Sequence, residues 1–166
     1  MNRYKPHICV VFEDDKCRQL AHGFVLNHRI DDRRMQVMPP AGGWSNVLEI
    51  FRKEYVPYLH RFPEGYVVLV IDFDGRVIDR QQEFAKAIPE KLKPRVFVIG
   101  LKDDPETFKR QIGLNLNFEQ IGMQLADECL DATFNIRQHE QCDHNKPEFD
   151  RCWQSTKDFL VRGTMF

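Results

Sequence analysis

With 166 residues, 42% hydrophobic and 11% aromatic, the chain is long enough to bury one substantial core and short for two, so a single domain over 1–166 is expected. A formal net charge of −1 excludes a general electrostatic grip on nucleic acid; such contact has to come from a local basic face or from a partner. No apolar run approaches the roughly 18 residues of a membrane span, and the five cysteines (Cys9, Cys17, Cys129, Cys142, Cys152) follow no framework spacing, so reduced thiols and a cytoplasmic protein without a membrane partner are expected.

In chain order, the apolar run at 7–12 (HICVVF) predicts a buried strand, and Glu13-Asp14-Asp15 stands at its carboxyl end. Leu20 and Phe24, with Cys17 a turn earlier, predict a helix over 16–27. Capping and the helix dipole favour acids at such a start, which accounts for Asp14 and Asp15. Glu13, as the last strand residue, is a site candidate by its position. After a charged connector at 30–34, residues 35–38 predict a short strand and 39–43 (PPAGG) a loop. Ser45 is placed to cap a helix running to about residue 60, with Val47, Leu48, Ile50, Phe51, Tyr55 and Leu59 as its inward stripe. Gly42-Gly43 would let backbone amides approach a phosphate, but there is neither a P-loop Lys-Ser/Thr nor a GxGxxG, and a plain strand-to-helix turn is the better account.

The run at 67–71 (VVLVI) predicts a central parallel strand buried on both faces, and it ends in Asp72-Phe73-Asp74-Gly75. Alternate residues of an extended segment point the same way, so a strand continuing through Asp74 turns both carboxylates toward one point at the carboxyl end of the sheet. Two like charges that close need a cation, and hard oxygen donors suit Mg²⁺ or Mn²⁺. The same residues also make an ordinary polar turn. Arg76 and Arg80 leave on this segment, either to hold a phosphate near the metal or as solvated helix charges.

Asp79 with Gln82 resembles a capping box opening a helix to residue 88, which 89–94 (PEKLKP) stops, and 95–99 predicts the fourth strand. Asp104 as N-cap, Pro105 at the first helical position and Glu106 in the first turn form a helix start. Lys102, Glu106 and Lys109 fall at the same carboxyl edge and join Asp14 and Arg76 as secondary site candidates. Beyond a core at about 5–112, residues 113–166 predict a helical extension with a break at 113–115. Its stripes are Phe118, Ile121, Leu125 and Cys129, then Phe149, Cys152, Trp153, Phe159 and Leu160. His139, Cys142 and His144, with Cys152, lack paired zinc-ligand spacing and read as a polar loop.

Alternating strands and helices predict an α/β fold, a four-stranded, mostly parallel sheet with helices on both faces. Glu at the end of the first strand and DxD at the end of the third, in VVFEDD (10–15) and LVIDFDG (69–75), resemble the Toprim domain of topoisomerases, primases and OLD-family nucleases over roughly the first two thirds of the chain. Asp14 stands where primases and topoisomerases usually have Gly, which brings the resemblance closer to the small OLD-like members. The resemblance implies Mg²⁺-dependent chemistry on DNA or RNA phosphodiesters, with Glu13, Asp72 and Asp74 as metal ligands and acid/base groups. It also implies a nuclease that works with an ATPase or other protein partner in defence against phage.

Two further classes stand beside it. VVFEDD also looks like the opening of a receiver domain, whose third-strand Asp is phosphorylated, although such domains have five strands and a Ser or Thr beside the fourth, and need no second Asp. The other is an inactive interaction module that keeps its acidic edge as a binding surface.

Overall fold

The computed structural model describes residues 1–113 and 115–163. β1 (His7–Phe12), β2 (Met35–Val37), β3 (Gly65–Asp72) and β4 (Val96–Leu101) form one sheet in the order β2-β1-β3-β4. Every neighbouring pair is parallel, so the α/β expectation holds and the sheet is parallel throughout. Around it lie α1 (Asp15–Leu26), α2 (Trp44–Ile50), α3 (Val56–Arg61), α4 (Val77–Ala87), α5 (Pro105–Ile112), α6 (Phe118–Asp131) and α7 (Lys146–Leu160). The chain moves from β1 outward to β2, then back past β1 to β3. The carboxyl ends of β1 and β3 are therefore neighbours at the point where strand order reverses, the usual ligand position of open α/β sheets.

Strand alternation sorts the core into two layers. Cys9, Val11, Val67, Leu69, Ile71 and Val96 meet Val47, Phe51, Leu59, Phe84 and Ile88 on the face covered by α2, α3 and α4. Ile8, Val10, Phe12, Val68 and Phe97 meet Cys17, Ala126 and Leu160, with Phe24, Trp153 and Phe159, on the face covered by α1, α6 and α7. α6 and α7 thus both lie on one side of the sheet. α1 and α6 approach closely because each is notched by a glycine: a Cβ at Gly122 would collide with the Leu20 carbonyl, and one at Gly23 with that of Glu119.

β4 lies at one rim of the sheet, and four of its outward backbone groups are taken by side chains from α7 and the turn before it. Val98 N donates to Glu148 Oε2 at 3.0 Å and Gly100 N to Asn145 Oδ1 at 3.0 Å, while Asn145 Nδ2 returns a bond to Gly100 O at 2.8 Å. Arg151 Nη2 donates to Val96 O at 2.8 Å.

Several expected element starts shift. Ser45 does not cap α2; the cap position is Gly43, with φ 139° and no side-chain bond, because the glycine pair turns the chain two residues earlier. The helix expected to reach residue 60 is interrupted by a π turn at Phe51–Tyr55. Pro57 has no N–H to close an α-helical bond there. No capping box forms at Asp79: α4 begins at Val77 after Arg76, without a side-chain cap, and Asp79 instead faces Arg76 at 3.5 Å. β4 continues to Leu101, beyond residue 99. Asp104 does cap α5, accepting from Thr107 N at 2.8 Å, and Gly113 ends that helix in the left-handed region at φ 64°. Leu114 of the expected break, and residues 164–166 of the expected extension, lie outside the described residues. Among the described residues, no helix is long and apolar enough to cross a membrane.

Candidate metal centre

Glu13 continues the β1 ladder, donating its N–H to Val70 O at 3.1 Å. Its carboxylate lies across the end of β3, where Oε2 accepts the Asp72 N–H at 2.8 Å. The loop before α2 is seated beside it, through Ala41 N to Phe12 O at 2.8 Å and Gly42 N to Glu13 O at 2.9 Å. On β3, Phe73 keeps the ladder, donating to Leu101 O at 3.0 Å, and its ring is buried edge-on to His144. The chain then turns sharply. Asp74 has φ 50° and Gly75 φ 73°, and Gly75 N is drawn to Lys102 O at 2.8 Å. Extended backbone therefore ends before Asp74, which is exposed, and the alternation expected to align it with Asp72 does not carry that far.

The described residues whose potential ligand atoms gather within 4.8 Å of one another are Asp14, Cys17 and Asp72. Asp14 is the N-cap of α1, its Oδ1 accepting from Cys17 N at 2.8 Å, and the Cys17 thiol donates to Asp72 Oδ1 at 3.5 Å. Glu13 and Asp74 stand outside this group. Glu13 adjoins it through the Asp72 amide, and Asp74 acts on Glu13 through its charge.

Electrostatics follow from this crowding. Asp72 is 7% exposed. Burial, then the charge and hydrogen bond of Asp14, then the charge of Glu13, push its pKa up to about 8 against the weak opposition of the Cys17 S–H. Burial likewise raises Glu13; the Asp72 amide opposes this, Asp74 and Asp14 add to it, and Arg80 reduces it. The Cys17 thiol is held well above its ordinary range by burial and by Asp72 and Asp14. In the metal-free protein Cys17 is thus an S–H donor, and the two carboxylates are the hard oxygen donors of the group. That donor set suits Mg²⁺ or Mn²⁺ better than a soft metal.

Arg80, on α4, is 9% exposed. Its guanidinium carbon lies 3.8 Å from the centroid of the Trp44 ring, Nη1 reaches Glu83 Oε1 at 3.3 Å, and the buried Nε has no partner among the described residues. An unmet buried donor costs about 1–3 kcal/mol. The solvated-charge reading therefore fits only Arg76, which is exposed and faces Asp79. Lys102 contributes its backbone to the turn, while its side chain is exposed. Glu106 pairs at 2.5 Å with Lys16, linking α5 to α1, and the Lys109 ammonium lies 5.1 Å from the centroid of the Phe118 ring. None of these three enters the carboxylate group.

In the sequence Cys17 is visible only as a helix-stripe position, and nothing there marks Trp44. The available signals were Cys17 in the first turn after the acidic trio, and Arg80 on the stripe that Phe84 and Ile88 continue. Compared with models of protein families, with curated proteins and with solved structures, the chain matches none.

Proposed function

We propose that this protein is a Mg²⁺-dependent hydrolase of nucleic-acid phosphodiesters, its metal held by Asp72 and Asp14 with Glu13 alongside. One observation carries this reading: Asp72 is buried at the reversal of strand order against two other acids, and among the described residues the hydrogen-bond donors to the three carboxylates are two backbone amides and a thiol. Such a group holds a proton or takes a cation. A bound divalent ion supplies Lewis acidity toward a phosphoryl oxygen and a water acidified enough to attack.

The chain's own residues divide the remaining work. Asp14 uses Oδ1 to cap α1 and offers Oδ2 to the ion. Asp72 gives up its proton on binding. Glu13, with Oε2 fixed on the Asp72 amide, has Oε1 without a protein donor among the described residues and takes a proton from the attacking water. With a net charge of −1, a protein partner such as the ATPase suggested by the Toprim resemblance would supply the wider grip on substrate.

The test is cleavage of single- and double-stranded DNA, of RNA and of bis(p-nitrophenyl) phosphate by wild type, Asp72→Asn and Glu13→Gln. Expected are no cleavage in EDTA, cleavage with Mg²⁺ or Mn²⁺, and a fall of roughly a hundredfold or more in each variant. Full activity of Asp72→Asn, or activity in EDTA, rejects the reading. The order β2-β1-β3-β4 also matches the first four strands of a 2-1-3-4-5 doubly wound sheet, which favours a phosphoacceptor domain with Asp72 as acceptor. A phosphoryl adduct on Asp72 after incubation with acetyl phosphate, without cleavage of any substrate, would select that alternative.

A further inference from the structure

Arg80 and Trp44 come from the two segments that flank Glu13. Trp44 opens α2 just after the loop whose Gly42 N–H binds the Glu13 carbonyl, and Arg80 lies one turn into the helix that follows the Asp74-Gly75 turn. The charge of Arg80 is felt at Glu13. A guanidinium present only to neutralise Glu13 would hydrogen-bond to it, yet Glu13 takes the Asp72 amide. The acceptor Arg80 does have is one oxygen of Glu83, three residues along its own helix and half exposed, at 3.3 Å. Meanwhile the indole holds the guanidinium at 3.8 Å and the buried Nε–H is unmet among the described residues. A desolvated planar fork with an unused in-plane donor, held by an aromatic platform, is the arrangement that takes an oxyanion.

We propose that Arg80, positioned by Trp44, is the phosphate-binding arm of this site, taking the non-bridging oxygens of one phosphodiester of a nucleic-acid strand while the carboxylates hold the divalent ion. The proposal rests on the metal-dependent reading, because an anion beside three acids needs an intervening cation. It separates Arg80 from Arg76, which leaves the same turn but is exposed.

The experiment is equilibrium binding of a fluorescent phosphorothioate oligonucleotide in Mg²⁺ across a KCl series, with folding of each variant checked by circular dichroism. Arg80→Gln is expected to weaken binding about tenfold and to reduce the slope of log K against log salt by about one. Arg80→Lys should keep the slope but recover little affinity, since a point charge lacks the fork. Trp44→Leu should weaken binding several-fold at unchanged slope, and Arg76→Gln should change neither. If Arg80→Gln fails to fold, Arg80→Lys and Trp44→Leu carry the test. Wild-type affinity in these variants, or no binding by wild type, overturns the proposal. Binding that depends on Arg80 in a protein that cleaves nothing retains the arm and overturns the hydrolase reading.

Discussion

Glu128 and Asp72 are both buried acids, 3% and 7% exposed, and the fold treats them in opposite ways. Glu128, on α6, gathers the amides of the returning loop: Oε1 accepts from Asn135 N at 3.1 Å and Ile136 N at 2.6 Å, and Oε2 from Arg137 N at 3.2 Å. Asp72 receives a long S–H contact and faces two more acids. Where backbone donors converge, a buried carboxylate fastens the chain; where other acids converge, it sets up a demand that only a proton or a cation meets.

The largest expected effect is at the fastened acid. Glu128→Ala leaves three amides without their acceptor and should lose about 3–5 kcal/mol in urea denaturation. Asp72→Asn should lose nothing at neutral pH, and equal losses at the two positions would erase the contrast.

The next effect is pH dependence, with a sign fixed by Asp72. Unfolded, it titrates near 4, and folded at about 8. Between those values the folded state holds a proton that the unfolded state has released, so stability falls as pH rises, by at most about 1.4 kcal/mol per unit. Below the unfolded value the penalty vanishes, and above the folded value it is complete. Raised Glu13 adds in the same direction. Relative to wild type, Asp72→Asn should therefore become progressively more stable from about pH 5 to about pH 8. Parallel stability curves would show that Asp72 carries no such proton.

A third expectation is that Mg²⁺ stabilises wild type, by about 2.7 kcal/mol at a hundredfold excess over Kd. Asp72→Asn should lose that response and Cys17→Ser should keep it, because the thiol stays protonated. Loss of the Mg²⁺ response in Cys17→Ser would make the sulfur a ligand. The smallest effect is at Asp74. With φ 50°, the position tolerates Asn, so metal-free Asp74→Asn should match wild type or exceed it slightly, whereas Asp74→Ala should lose about 1 kcal/mol in thermal melts.

The four apolar runs were legible as strands, and ending two of them in acids was enough to bring Glu13 and Asp72 together. The fate of Asp74 was not legible, since the turn that frees it depends on Gly75 N reaching Lys102 O, a contact between segments distant in sequence. Asp14 is legible as a cap, yet capping is also what carries its carboxylate into the group with Cys17 and Asp72. The stripes of α6 and α7 were visible, but periodicity does not say which surface a stripe will meet. Here they meet one face of the sheet.

The bonds from Asn145, Glu148 and Arg151 to β4 have a consequence for assembly. A rim strand with unclaimed amides and carbonyls is a template on which a neighbouring chain can register itself and polymerise. On β4 the Val98 and Gly100 amides and the Val96 and Gly100 carbonyls are answered within the molecule, by side chains that offer no backbone for a further strand to copy. The opposite rim, β2, is three residues long, too little to guide a partner. Both rims of the four-stranded sheet are thereby made poor templates for an added strand.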